Sequence, residues 1–285
     1  MASPVVMTRS AESGEIGPTP VRDRILALDV LRGVAILGIL LVNIELFSMV
    51  SAAWMDPTGS GDATRMDVAI WTLVHIFAEG KFISLLSVVF GAGIFLMAQR
   101  LEERTAHPER AYYRRMAGLL LIGAVHAYLF WSGDILVSYA ICGACVYPLR
   151  RLRPRTFLLV AGGLLLAGSA LEVVAPYYLA PTFFSFGSSL MRSLSPWTET
   201  ADYAGNWITE MAARVPMAVQ TETYALVSST FWRVAGLMAA GMAFAKLGFF
   251  RGSAKKSSLL WVALVGCLLG VVVAYAGAIL HKLFG

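Results

Sequence analysis

A histidine and an aspartate on either side of a short polar turn are the residues in this sequence best suited to chemistry. The stretch 122–140 reads IGAVHAYLFWSGDILVSYA, in which His126 precedes the turn Ser132-Gly133-Asp134. Histidine exchanges protons near neutral pH, and a nearby carboxylate can orient its ring. Two plainer interpretations stay open: His126 packs between helices, and Asp134 caps the helix that follows the turn.

The first apolar run carries a polar stripe. Asp29 and Arg32 are three residues apart, so on a helix they can form an ion pair. Arg32 and Asn43 are eleven residues apart, which places them within about 20° of one face and about 16 Å apart along a helix axis. The guanidinium of Arg32 could hold a phosphate or a carboxylate. A purely structural Asp29–Arg32 pair is compatible with the same pattern.

Two further cations border or enter apolar runs. Lys81 follows Glu79 and Gly80, where it either contacts a substrate or extends its amine toward water. Arg233 lies within an apolar run, and a buried arginine normally needs an acidic or carbonyl partner. The sequence offers three acidic candidates and does not choose between them: Glu45, Asp134 and Glu172.

The composition is that of an integral membrane protein. The chain has 285 residues, of which 58% are hydrophobic and 14% are charged, with a mean hydropathy of +0.68. Soluble domains carry about 25% charged residues. The length leaves room for one membrane domain at residues 22–285. Residues 1–21 lack apolar periodicity and are predicted to form a disordered tail.

Seven apolar segments are long enough to be membrane helices, so we predict an all-α, polytopic transmembrane helix bundle. A shorter segment, 66–78, is predicted as an amphipathic helix at the membrane interface. The loop 181–222 carries three aromatic residues and is predicted to include a second interfacial element. The seven predicted spans are 26–50, 77–99, 116–132, 134–149, 156–180, 224–248 and 258–281.

Loop charges predict a cytoplasmic N-terminus. With that orientation, sixteen Lys and Arg residues fall in inside segments and four in outside segments. This asymmetry follows the positive-inside rule and places the Ser132–Asp134 turn and the 181–222 loop on the outer face. The net charge of +5 is therefore explained by cytoplasmic loops, and no nucleic-acid partner is predicted.

The common soluble-enzyme motifs do not occur in this sequence. It has no phosphate-binding P-loop, no dinucleotide-binding glycine pattern and no zinc-type HExxH spacing, so no metal or bound cofactor is predicted. Cys142 and Cys145 have a redox-like spacing, but they lie inside an apolar run. We interpret them as small packing residues.

Four stretches, in this order, resemble the YeiB-like bacterial membrane proteins. They read LDVLRGVAILGILLVNI, GKFISLLSVVFGAGI, GAVHAYLFWSGDILVSYAICG and WRVAGLMAAGMAFAKLGFF, and the resemblance covers roughly residues 24–252. The C-terminal half of that family is catalogued as domain of unknown function 418. The resemblance implies a multi-pass protein of the bacterial inner membrane.

The first helix is also similar to that of the wider transmembrane acyltransferase superfamily, through Leu28-Asp29-x-x-Arg32-Gly33. This similarity implies transfer of an acyl group from a cytoplasmic acyl-CoA-type donor to a small-molecule or glycan acceptor near the outer face. Many of those enzymes carry a histidine where this chain has Asn43. The general base would then be His126, oriented by Asp134 or Glu79.

The implied roles of the other residues follow from the same resemblance. Arg32 would engage the donor's phosphates and Arg233 would stabilise negative charge, while three further residues would help to bind donor or substrate: Asp29, Asn43 and Lys81. The family continues for further helices, so this chain is expected to be shortened at its C-terminus. Two other functions stay open, a membrane transporter or exporter component and an inactive truncated family member.

Overall fold

The computed structural model describes residues 25–48, 54, 57–58, 63–178 and 204–251, and these residues form helices and turns with no strand among them. The predicted all-α class is confirmed for this part of the chain. The α-helices are α1 (Leu26–Ser48), α2 (Arg65–Phe77), α3 (Lys81–Arg104), α4 (Pro108–Val125), α5 (Leu136–Val146), α6 (Pro154–Tyr178), α7 (Trp207–Gln220) and α8 (Phe231–Lys246). Two π-helical segments, π1 (His126–Phe130) and π2 (Thr221–Thr230), and two 3-10 segments, Tyr147–Arg151 and Phe249–Arg251, adjoin them.

Three helical stretches among the described residues are long and apolar enough to cross a membrane. They are Leu26–Ser48, the α2–α3 region Arg65–Arg104, and Pro154–Glu172. Each of the first six predicted apolar segments coincides with a helix, and the predicted interfacial segment 66–78 coincides with α2. The seventh segment, 258–281, and the predicted tail, 1–21, lie outside the described residues.

The chain from Trp207 to Lys246 is helical without interruption, through α7, π2 and α8. The sixth helical region therefore begins well before the predicted boundary at 224, and the end of the predicted 181–222 loop is helix. Asn206 caps α7, because its side-chain oxygen accepts hydrogen bonds from the backbone N–H groups of Ile208 and Thr209. The polar residues of π2, such as Thr221 and Glu222, interrupt the apolar run without interrupting the helix.

Local sequence accounts for several helix boundaries. Thr64 and Asp67 form a capping box at the start of α2, in which each side chain bonds the other's backbone N–H. Gly80 has a left-handed backbone with φ of 71°, which turns the chain sharply between α2 and α3. Pro108 opens α4, where its missing N–H costs nothing.

The core is centred on the crossing of α3 and α8. A Cβ atom on Gly91 of α3 would overlap the carbonyl oxygen of Met238, and one on Gly241 of α8 would overlap that of Val88. The two backbones therefore touch, as small residues allow in membrane helices. Around this crossing lie buried apolar residues of α3, α4, α5 and α8, including Cys142, which is fully buried as predicted. Cys145, the other cysteine predicted to pack, is exposed because its side of α5 faces away from this core.

A cluster of charged residues, which we call the basic end, closes one end of the bundle. The side chain of Arg150 is 7% exposed, stacks over Tyr147 and forms ion pairs with Glu102 and Glu109, at 3.2 and 2.8 Å. Burial is the largest single influence on the guanidinium and lowers its pKa, but the hydrogen bonds to Glu109 and Glu102 and the charge of Tyr147 together raise the pKa above its ordinary value. Lys246 donates to the carbonyl oxygen of Arg150 and so ties α8 to this end.

Candidate functional site

The opposite end of the bundle, which we call the turn end, contains the Ser132–Asp134 turn and brings His126 and Asp134 into contact. Nδ1 of His126 lies 2.8 Å from Oδ1 of Asp134. The other carboxylate oxygen of Asp134 accepts a 2.8 Å hydrogen bond from the backbone N–H of Val137 in the first turn of α5. Asp134 therefore both caps α5 and contacts His126, so the structure agrees with the capping interpretation and with the pairing interpretation of this residue.

Close helix packing and a π-helix position the histidine. A Cβ atom on Gly123 would lie 2.7 Å from the backbone nitrogen of Val137, so glycine allows α5 to approach α4 one turn before His126. π1 begins at His126 and ends where the N–H of Trp131 bonds the carbonyl oxygen of His126 at 2.9 Å. Single π-helical turns inside helices are frequent at functional sites.

The pair opens into a cavity of about 540 Å³ at the turn end, which we call the turn-end cavity. The side chain of His126 is 40% exposed, whereas that of Asp134 is 1% exposed. Because Nδ1 faces Asp134, Nε2 is the ring nitrogen that remains for a substrate. The wall residues include three groups predicted from the sequence, Asn43, Asp134 and Arg233, together with Glu79 and four aromatic side chains, Phe47, Trp54, Phe82 and Trp131.

Arg233 projects from the first turn of α8 into this cavity. Among the residues that the structure describes, it forms no ion pair, and none of its three predicted partners contacts it. The guanidinium therefore lies in the same cavity as His126, unpaired within the described part of the chain.

Glu79, the alternative carboxylate for orienting His126, is engaged elsewhere. One of its oxygens lies 3.3 Å from Nε2 of His75. The His75 ring stacks on Trp71 with 3.9 Å between centroids, and its Nδ1 contacts the Trp71 carbonyl oxygen. Asp134, and not Glu79, is therefore the carboxylate on His126.

The remaining predicted site residues lie outside the turn-end cavity. Asp29 and Arg32 form the predicted ion pair at 3.2 Å, and both side chains are well exposed. Arg32 points toward Gly93 in the middle of α3 and is not among the residues lining the cavity. Lys81 donates a 2.9 Å hydrogen bond to the carbonyl oxygen of His75, on the α2 side.

Two residues near the site were not singled out from the sequence. Arg214, on α7, has a side chain that is 8% exposed, and it donates a 2.6 Å hydrogen bond to the carbonyl oxygen of Leu129 in π1. Glu222, on π2, has both carboxylate oxygens buried without a hydrogen-bond partner in the described part of the chain. Burial, and after it the charge of Asp134, raises the pKa of this carboxyl group to about 7. The sequence signal for Glu222 was an acidic residue beside an apolar run, but its burial depends on tertiary packing.

The described helices and this cavity define a helical protein with membrane-type segments and a histidine–carboxylate pair at one end. The chain is 31% identical to the uncharacterized protein YeiB of Escherichia coli (strain K12) over 234 residues, which are 81% of this chain and 58% of YeiB. It is 38% identical over 153 residues to the uncharacterized protein YxaH of Bacillus subtilis (strain 168), covering 52% of this chain and 38% of YxaH. These similarities confirm the predicted resemblance to the YeiB-like proteins.

A third relative extends the comparison to another Bacillus. An uncharacterized 39.9 kDa protein in the amylase 3' region of Bacillus acidopullulyticus is 31% identical over 149 residues, which are 52% of this chain and 40% of that protein. The chain therefore spans about half the length of the curated relatives it matches. No family model matches the chain, and no solved structure matches it.

Proposed function

We propose that this protein is a membrane-bound acyltransferase that uses His126 as a general base at the turn end. The observation that carries the proposal is the 2.8 Å contact between His126 Nδ1 and Asp134 Oδ1, with the other ring nitrogen left for the cavity. A buried carboxylate behind an exposed imidazole fixes the ring's orientation and stabilises its protonated form. The same arrangement serves hydroxyl activation in unrelated folds.

The proposed reaction joins an acceptor hydroxyl to an acyl thioester. Nε2 of His126 takes the hydroxyl proton as the hydroxyl oxygen bonds to the thioester carbonyl carbon. The carbon–sulfur bond then breaks, and the leaving thiolate takes the proton back from the imidazolium. Arg233 lines the cavity, and its guanidinium can bind a negatively charged group there. Asn43 lines the same wall and can hydrogen-bond the acceptor.

We further propose a multi-pass protein of the bacterial inner membrane, with about seven spans and a cytoplasmic N-terminus. The many arginines and lysines of the sequence segments around the basic end support this orientation, because the positive-inside rule places such segments in the cytoplasm. The turn end would then face outward. The donor would enter from the cytoplasmic side, with Arg32 and Asp29 as its predicted contacts and no bound cofactor required, whereas Lys81, at the turn end of α3, would contact the acceptor.

The decisive experiment follows acetyl transfer from radiolabelled acetyl-CoA by purified protein in detergent, with glycerol and a bacterial lipid extract as hydroxyl acceptors. We expect His126→Ala to abolish the labelled product. His107→Ala is the matched control, because His107 is exposed in the loop before α4, away from the cavity. Unchanged turnover in the His126 variant would reject the proposal. Net flux into vesicles without a covalent product would favour the transporter function instead.

The donor site is tested separately by calorimetry with acetyl-CoA. Saturable binding that Arg32→Ala weakens would support a donor site along α1. No binding to well-folded wild-type protein would reject CoA-dependent transfer for this chain, whatever the role of His126.

A further inference from the structure

The turn-end cavity contains one cation without a counter-charge. Both carboxylates on its wall are engaged: Asp134 holds His126, and Glu79 holds His75. Arg233 has no ion-pair partner among the described residues, although α8 is buried immediately after it at Val234. Its side chain is exposed and lines the cavity, in a segment predicted to span the membrane, where a cation is costly unless an anion or carbonyl group compensates it. Arg233 is therefore the group on this wall that can pair with a negatively charged ligand.

The residues that line the cavity limit further which chemical class of ligand can bind there. Most of the wall is apolar or aromatic, with Trp54, Phe82 and Trp131 around it. Phe47 of α1 meets Trp131 edge to face, with 5.0 Å between ring centroids, so these two rings border the same space. The planar fork of an arginine matches the oxygens of a phosphate or carboxylate. The lining therefore suits an amphiphile that carries an anionic oxygen group.

We propose that the acceptor is an anionic amphiphile whose phosphate or carboxylate pairs with Arg233 while its hydroxyl lies at Nε2 of His126. The placement of the hydroxyl rests on the proposed acyl transfer. The binding site for the anionic group, which we call the anion seat, consists of Arg233 and the cavity wall around it. Because the anion seat does not depend on His126, anion binding and acyl transfer can be tested separately. In this arrangement Arg233 of α8 binds the permanent negative charge of the ligand, and the reacting hydroxyl oxygen lies beside His126 of π1.

Calorimetry on the full chain in dodecyl maltoside tests the anion seat, with protein-free micelles subtracted. The probes are dioctanoyl phosphatidylglycerol, sn-glycerol 3-phosphate and octyl glucoside, which are an anionic lipid, a free phosphate and a neutral amphiphile. We expect phosphate-bearing probes to bind wild type at least about tenfold more tightly than Arg233→Gln, since a charge-assisted hydrogen bond is lost. The affinity of Arg233→Lys for these probes should be intermediate, because lysine keeps the positive charge but lacks the planar guanidinium that can donate two parallel hydrogen bonds.

The control variant is Arg155→Gln, which removes an exposed arginine from the first turn of α6 and should bind like wild type. Binding of the lipid alone identifies a lipid headgroup, and equal binding of glycerol phosphate identifies a soluble phosphate. Three results overturn the proposal: equal affinity in a folded Arg233→Gln variant, equally tight binding of octyl glucoside, or no saturable binding of either phosphate probe to wild type. Folding is checked for every variant by its unfolding temperature.

The same variants separate this inference from the proposed function. His126→Ala should keep phosphate binding and lose acyl transfer. Arg233-dependent phosphate binding without any acyl transfer would keep the anion seat and reject the acyltransferase. His126-dependent transfer to neutral acceptors that is indifferent to Arg233 would keep the acyltransferase and reject the anion seat.

Discussion

The guanidinium of Arg214 donates a 2.6 Å hydrogen bond to the backbone carbonyl oxygen of Leu129, three residues after His126. Glu210, one turn earlier on α7, holds the same guanidinium at 3.3 Å. The last carbonyl groups of a helix have no partner within it, so Arg214 satisfies one where π1 ends. Arg214 of α7 thereby holds π1, the segment that begins at His126, in place.

Loss of this contact should loosen His126 without removing it. We expect Arg214→Gln to lower acyl-transfer turnover about ten- to hundredfold, because a small displacement of a catalytic group is costly. Acetyl-CoA affinity should change little. Arg214→Lys should recover part of the turnover, and Glu210→Gln, which leaves the Leu129 contact available, should be the milder variant. If Arg214→Gln and Glu210→Gln behave alike, the Leu129 contact does not position π1.

The two bonds of Asp134 can be separated by substitution. Asp134→Asn keeps a side-chain oxygen to cap α5 but cannot stabilise the imidazolium, so we expect turnover to fall about a thousandfold or more with nearly unchanged thermal stability. Asp134→Ala also loses the cap and should cost a further ~1 kcal/mol. Turnover is measured by labelled acetyl transfer and stability by thermal unfolding in detergent. An Asn variant that retains full turnover would show that Asp134 is only a cap.

Part of this site was accessible from sequence because its contacts are local. His126 and Asp134 are eight residues apart across a short turn, and Asp29 and Arg32 are three apart on one helix, so spacing allows both contacts, although it left Glu79 as a second candidate partner of His126. Hydrophobic periodicity likewise placed six helices, since long apolar runs have few alternatives. These predictions depend only on residues near one another in the chain.

The contacts that spacing does not encode were missed. Arg214 meets Leu129 across 85 residues. Arg233 was predicted as a site residue, but the residues around it were not, because they come together only through helix packing. The π-helical segments have no distinctive periodicity that would separate them from α-helix. The sixth predicted span was given a start at 224, which is too late. The helix that contains π2 and α8 begins earlier in the chain, and the residues around Glu222 are polar although they are helical.

The α3–α8 crossing should be intolerant of even one added methyl group. A Cβ on Gly241 would overlap the carbonyl oxygen of Val88, and backbone cannot move aside cheaply, so we expect Gly241→Ala to cost about 1–3 kcal/mol. Gly162 of α6 is the matched control, because nothing lies within 4 Å of its added Cβ. Gly162→Ala should be neutral or stabilising by up to about 1 kcal/mol, from helix propensity. Equal unfolding temperatures for both variants would contradict the close crossing.

Gly38 of α1 packs against Phe82 of α3, whose ring lines the turn-end cavity. A Cβ on Gly38 would overlap the Phe82 ring, which lines the cavity, so Gly38→Ala should push that ring into the space for the acceptor. We expect phosphatidylglycerol to bind this variant about tenfold more weakly or worse, with acetyl-CoA affinity preserved.

A second substitution tests whether the ring is responsible. Leucine is smaller than phenylalanine, so Phe82→Leu in the Gly38→Ala background should restore most of the lost affinity, a coupling expected only of residues in contact. Gly33→Ala, on the same helix with nothing within 4 Å of its Cβ, should leave phosphatidylglycerol binding unchanged. Additive losses in the double variant would mean that Gly38 acts through helix packing and not through the position of the Phe82 ring.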